Sequence, residues 1–351
     1  MSSRPSIREL APLIGIAFAV VVTPFVLRAA YAAWGPADHA VASYLPALEA
    51  SRPRDAFDPA PIDELASFKP AYVIISDSMG GRIDPERLTA LSGDDVAPIL
   101  QNATGSGYWF LVLKNYVVAS RIQPKRVFVF FRDTNLTDVM FRLGGEYRRR
   151  LDAVALDSEP ELNRAVAART PDLSSRVHRW VDGTYGIEPA RAWLGPTITD
   201  WPMKVVAGSD GEEIVRERVN RSFALDRLRV MTSADVAAAD DDDPDADFGA
   251  RVNASVLPAF IALAREHGLR LCFVRVLRRP VDGAAPPESP RLRKYVQDLR
   301  AYLKAGGVDY IDDRDDPALA RIPYADGDHI ASEARIAYTD RFWDAVQRLA
   351  P

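Results

Sequence analysis

"AYVIISDSMGG", residues 71 to 81, decides the fold. An apolar run from Ala71 to Ile75 continues without interruption and then stops on Ser76, Asp77 and Ser78, which two glycines follow. A short run that is apolar on every position reads as a strand buried on both faces, as in a parallel sheet covered by helices. Sheets of that kind bind ligands outside the carboxyl ends of their strands, where strand order reverses. Ser78 is therefore expected at such an edge. Two readings of it stay open. Ser78 is a nucleophile presented on a tight turn, with Gly80 and Gly81 permitting close approach and the following N–H groups facing developing negative charge. Alternatively, Asp77 and Ser78 cap a helix that starts near Pro85.

Further along, short apolar runs recur at 97–102 (APILQN), 126–131 (RVFVFF), 269–276 (LRLCFVRV) and 308–312 (VDYID). Longer helical patterns alternate with them, which predicts βαβ units around a parallel sheet and a three-layer α/β domain over 69–351. One interval breaks the alternation. Residues 143–248 contain no clear core strand and are far too long for an ordinary connection, so they are expected to be an insertion. The run "AAADDDDPDAD" (237–247) lacks the spaced ligands and the glycine of a calcium loop and reads as a solvated acidic loop.

Ahead of the domain, Leu10 to Leu27 is free of charge and, at about 18 residues, lies near the lower limit for a membrane-spanning helix. Arg4 and Arg8 precede it, which favours a cytoplasmic N-terminus and an exported domain, while Tyr31 and Trp34 suit the far interface. Residues 1–34 thus read as a membrane anchor through 10–33, and 35–68 as a tether with a lead-in helix. A cleaved signal peptide is the rival reading, because "AAYAA" (29–33) offers small residues for processing. Either reading exports the domain. The chain has a formal net charge of -5 and 48% hydrophobic residues, which excludes a global basic field for nucleic acid and allows a full core. The single cysteine, Cys272, lies in an apolar run and supplies neither a disulfide framework nor a metal cluster.

A serine hydroxyl needs a base, most often a histidine oriented by a carboxylate. The sequence has four histidines. His39 falls in the tether, His178 in the insertion, and His267 at a helix end before a glycine. His329, in "YADGDHIASEA" (324–334), follows the last strand and so belongs at the same sheet edge as Ser78. Asp326, three residues earlier, is placed to turn its carboxylate back onto the imidazole, whereas Asp328, next in sequence, tends to point away. Donors for an oxyanion are available in "QNATGSGYW" (101–109), from the N–H of Gly105 or Gly107, and in "FFRDTNLTD" (130–138), from the amide of Asn135. The glycines also suit a tight turn, and Asn135 also suits a helix cap or an Asx-turn.

Taken together, "SDSM", "NATGSG", "RDTN" and "DGDH" resemble, in order, the four blocks of the SGNH, or GDSL-like, hydrolase family. The resemblance covers about 69–142 and 265–350. It implies a three-layer, flavodoxin-like fold with a central parallel sheet. It further implies a triad of Ser78, Asp326 and His329, an oxyanion hole made by Ser78, Gly107 and Asn135, and neither cofactor nor metal. Ser76 stands where the family has a glycine, and Asp133 and Leu136 replace the usual neighbours of the asparagine. An anchor, an exported domain and a large insertion are similar to tethered family members that modify envelope polysaccharides beside a membrane-bound O-acyltransferase. That likeness implies an O-acyltransferase or acyl esterase acting on an acylated glycan. A lipase or small-ester hydrolase and a noncatalytic glycan-binding partner are the alternatives.

Overall fold

The computed structural model describes residues 41–48, 51, 52, 54, 56–144, 147–170, 246–326 and 328–349, with scattered positions between 18 and 33. The chain divides into two compact units, Met1–Arg54 with Thr170–Val230, and Asp55–Arg169 with Met231–Pro351. In the first, Val41–Ala42 pairs antiparallel with Ser51–Arg52. The expected anchor falls almost entirely outside the described residues, among which no helix is long and apolar enough to cross a membrane.

The second unit contains the sheet. Its elements run α1 (Ala60–Phe68), β1 (Tyr72–Ser76), α2 (Pro85–Ser92), β2 (Val96–Leu100), α3 (Ser106–Val112, continued by a π-helical stretch Leu113–Val118) and β3 (Arg126–Phe131). They continue with α4 (Arg148–Val154), α5 (Pro160–Arg169), α6 (Phe248–Val252), α7 (Leu257–Glu266), β4 (Leu271–Arg275), α8 (Pro290–Ala305) and β5 (Asp309–Asp312). A hairpin of β6 (Tyr324–Asp326) and β7 (His329–Ile330) and the closing α9 (Arg335–Gln347) complete it. The sheet has the order β2-β1-β3-β4-β5 with every pair parallel. This doubly wound order reverses between β1 and β3, which fixes the ligand edge there. The five apolar runs read from sequence are the five sheet strands, and the fold is the three-layer α/β architecture that the sequence implies.

Both faces are apolar because successive side chains of a strand point to opposite sides. Ile74, Phe128, Phe130, Cys272 and Val274 pack toward α9, where Phe128 meets Phe342 edge to face at 5.0 Å. On the opposite face Phe273 meets Phe260 of α7 at 5.7 Å, and Phe260 meets Phe110 of α3 at 5.4 Å. Register aligns the carboxyl ends: Ser76 pairs with Leu100, Phe131 with Arg275, and Arg275 with Asp312. Helices α4 and α5 fasten to this unit through Asn115, which donates to the Val154 carbonyl and to Glu159, both at 2.7 Å.

Candidate active site

Past Ser76 the chain turns at once into a 3-10 helix, Ser78–Arg82. Asp77 is its N-cap and accepts from the Met79 N–H at 2.9 Å. Helix α2 has a separate cap, since Asp84 accepts from the Arg87 N–H at 2.9 Å. Ser78 therefore caps neither helix with its side chain, and among the described residues its hydroxyl makes no hydrogen bond. Gly80 is demanded by close approach: a Cβ there would lie 2.5 Å from Leu100 Cδ2 and 2.7 Å from Ser76 Cβ. Gly81 has open space in the same position. Ser76, which stands where the family has glycine, fits because its buried hydroxyl donates to the Phe130 carbonyl at 3.3 Å.

His329 lies on β7 rather than in the open loop expected, and its strand packs directly against the Ser78–Arg82 turn. The hairpin register sets Asp326 opposite His329. The Asp326 side chain lies outside the described residues. Asp328 points elsewhere. Its carboxylate takes the Arg132 guanidinium and accepts from the Arg279 N–H at 3.3 Å. Burial pushes the Asp328 acid up, but the charge and hydrogen bond of Arg132 and the Arg279 N–H outweigh it and hold it below its ordinary value.

The two donor segments meet the same edge. Gly105 is the N-cap of α3, and a Cβ on it would lie 2.6 Å from the Phe141 carbonyl, so the Gly block and the loop after β3 touch backbone to backbone. Ser106 Oγ adds a bond to the Asp138 carbonyl at 3.3 Å. Gly107 sits in the first turn of α3, against Leu162, where a helix leaves its N–H groups without intrahelical acceptors. Asn135 is half-buried in the turn after β3, its N–H bonded to the Arg132 carbonyl at 2.9 Å. Its side-chain amide has no partner among the described residues, so the Asx-turn and helix-cap readings are absent there.

Charge at this edge was not foreseen. Asp77 is only 6% exposed, and burial raises its carboxyl above the ordinary value. The Met79 N–H and the positive charges of Arg142 and Arg132 oppose that rise, with Arg142 Nη1 at 3.6 Å. Arg82, wholly buried at the end of the serine turn, is the second unforeseen group. It donates to the Asp328 carbonyl at 2.6 Å, to the Leu277 carbonyl at 2.9 Å and to Tyr324 Oη at 3.2 Å, and pairs with Asp313 at 3.6 Å. A fork of five fixed donors is what holds several acceptors in one plane at once. Arg82 thus ties the serine turn to the first strand of the histidine hairpin and to the turn that leads into the second. The signal available in sequence was a lone Arg after "SMGG", which nothing local distinguishes from a surface residue.

At the exit of β4, Arg275 pairs with Asp312 at 3.1 Å, with Asp133 at 3.4 Å and with Glu288. Burial works against its charge, and Asp312, Asp133 and Glu288 overcome that, so its pKa is raised. Among the described residues no group of His, Cys, Asp and Glu is arranged to hold a metal ion. Only Asp247 of the acidic run's helix-proximal end is described in a bonded role, capping α6 by accepting from the Ala250 N–H at 3.2 Å.

No protein family matches the sequence, and no curated protein is similar to it. Among solved structures the chain is similar to an acetyl xylan esterase, at 10% identity and a TM-score of 0.35, covering 78% of this chain and 98% of that one. It is also similar to a GDSL-like lipase from Bacteroides thetaiotaomicron, at 10% identity and a TM-score of 0.34, covering 83% of this chain and 100% of that one.

Proposed function

We propose that the protein is an SGNH-type serine acyl-transfer enzyme. His329, oriented by Asp326, takes the Ser78 proton as the hydroxyl oxygen attacks the acyl carbonyl. The tetrahedral oxyanion is held by the Ser78 and Gly107 N–H groups and by the Asn135 amide. As the intermediate collapses, the imidazolium returns the proton to the leaving alkoxide, and an acyl-Ser78 ester remains. An incoming hydroxyl, of water or of a sugar, then reverses the same steps and takes the acyl group away. Support comes chiefly from one observation: a partly exposed serine, whose hydroxyl has no hydrogen bond among the described residues, stands at the sheet's switch point, against the strand that carries His329.

The substrate in this reading is an O-acylated glycan of the cell envelope or an exported polysaccharide. The domain is held outside the cytoplasmic membrane by residues 10–33, beside a membrane-bound O-acyltransferase that delivers acyl groups. The support is the uncharged run preceded by Arg4 and Arg8. A fluorophosphonate probe tests the chemistry. It is expected to label the wild-type chain on Ser78, to leave Ser78→Ala unlabelled, and to react with Asp326→Asn slower by orders of magnitude. No labelling of the folded wild-type chain at any pH would remove the catalytic reading.

A further inference from the structure

The arginines at the carboxyl edge fall into two groups. Arg82, Arg132, Arg142, Arg275, Arg278 and Arg314 each have a carboxylate within 4.0 Å. Arg279 and Arg321 do not: among the described residues neither side chain has an ion pair or a hydrogen bond. These two line one open cleft of about 380 Å³ together with Pro280, Ala320, Ile322 and Tyr324. The volume lies within the range of small-ligand sites.

The walls are fixed. Val281 and Ala284 exchange both backbone hydrogen bonds at 3.0 Å across Asp282 and Gly283, whose φ of 52° and 73° make a tight two-residue turn. That turn holds Pro280 and Arg279 at the rim. Arg279 is anchored by its own N–H on Asp328, the neighbour of His329, and Tyr324 stands on the strand paired with β7. The Tyr324 hydroxyl is occupied, accepting from Arg82 and donating to the Leu277 carbonyl at 3.1 Å, so its ring is left as an apolar wall beside Ile322. Asp282, the nearest acid in sequence, pairs with neither guanidinium. In a chain of net charge -5, two guanidinium groups without a partner among the described residues, on one apolar-walled cleft, make a local site for an oxyanion.

We infer that this cleft binds an anionic group, the carboxylate of an acidic sugar or a phosphate, and so selects a negatively charged acyl-bearing substrate. The ligand lies over Tyr324 with its oxyanion between Arg279 and Arg321, next to the hairpin that carries His329. Only the word substrate rests on the acyl-transfer reading; the anion site stands on the two arginines.

Calorimetric titration of the full chain carrying Ser78→Ala separates the two. The probes are a trimer of glucuronic acid, the matching neutral glucose trimer and inorganic phosphate. The acidic trimer or phosphate is expected to bind at least tenfold more tightly than the neutral trimer, with affinity falling as salt rises. Arg279→Gln with Arg321→Gln is expected to remove that preference, and the tighter of the two anions names the source. Equal binding of acidic and neutral trimers without phosphate binding, or an anion preference that survives both substitutions in a folded protein, overturns the site. Anion binding of this pattern in a chain whose native form no serine probe labels retains the site and removes the acyl-transfer reading.

Discussion

Two buried arginines mark the same edge of the sheet, and they are built differently. Arg275 is surrounded by carboxylates, with Asp312, Asp133 and Glu288 drawn from β5, the loop after β3 and the approach to α8. Arg82 meets one carboxylate, Asp313, and otherwise two backbone carbonyls and the phenol of Tyr324, with the Tyr324 and Tyr338 rings at 5.5 and 5.7 Å. The first centre neutralises charge; the second fixes backbone positions. Carbonyls of Leu277 and Asp328 stay where Arg82 puts them, and Asp328 is next to His329 in the chain. Loss of Arg275 should therefore strike stability, while loss of Arg82 geometry should strike the alignment of serine and histidine.

The largest effect is expected at Arg275. Arg275→Met removes the one cation that Asp312, Asp133 and Glu288 share and leaves them to the less buried Arg300, Arg278 and Arg314, and breaking one side of a buried ion pair costs about 3–5 kcal/mol. Denaturant unfolding monitored by tryptophan fluorescence should show the loss; a change below about 1 kcal/mol would mean that water or rearranged arginines replace the charge.

Asp313 sharpens the comparison through pH. Burial raises its carboxyl from 3.8 to about 6, against the pull of Arg82, the Leu277 N–H and Tyr338. A raised folded-state pKa means that the native chain holds this proton longer than the unfolded one. The stabilisation is full below the unfolded value and is lost as pH rises from about 4 through about 6. At about 1.4 kcal/mol per unit this amounts to a term on the order of 3 kcal/mol. In Asp313→Asn that slope should disappear from the pH dependence of thermal unfolding, and an unchanged slope would assign it to another group.

Arg82→Lys is the smallest in stability and the most specific in activity. Lysine keeps the charge but lacks the planar fork, and loss of hydrogen bonds to a charged donor costs about 2 kcal/mol. Fluorophosphonate labelling of the folded variant should slow by about tenfold or more. Arg275→Lys, compared at equal folded fraction, should leave the labelling rate within about twofold. Equal slowing in both would erase the distinction between the two centres.

Much of this arrangement is legible in the sequence, because it is written in local pattern. Five apolar runs became five parallel strands, since a strand covered on both faces must be apolar at every position, and the helix expected to start near Pro85 is α2, although Asp84 and not Asp77 or Ser78 caps it. The strand exits of a parallel sheet likewise put Ser78, Asn135 and His329 at one edge. What pattern does not carry is pairing over distance. Arg82 meets Leu277 and Asp328 at separations of 195 and 246 residues, and Arg275 lies inside a run that reads as core. The β6–β7 hairpin was missed because its strands have three and two residues, too short for alternation to register. Gly80 and Gly81 were both read as permitting close approach; Gly80 has that role, against Leu100 and Ser76, whereas a Cβ on Gly81 would meet open space.

The span between Arg82 and Asp328 also sets an order of events during synthesis. The serine turn leaves the ribosome early, when β1 and β2 are made, but the acceptors that occupy its guanidinium follow only 195 to 246 residues later. Until Leu277, Asp313 and the hairpin arrive, that turn has no burial for Arg82 that does not strand a charge, so it stays open to water. The reactive edge is thus completed only by a segment made long after the serine turn, and a product terminated before Tyr324 carries the serine without the scaffold that aims a base at it.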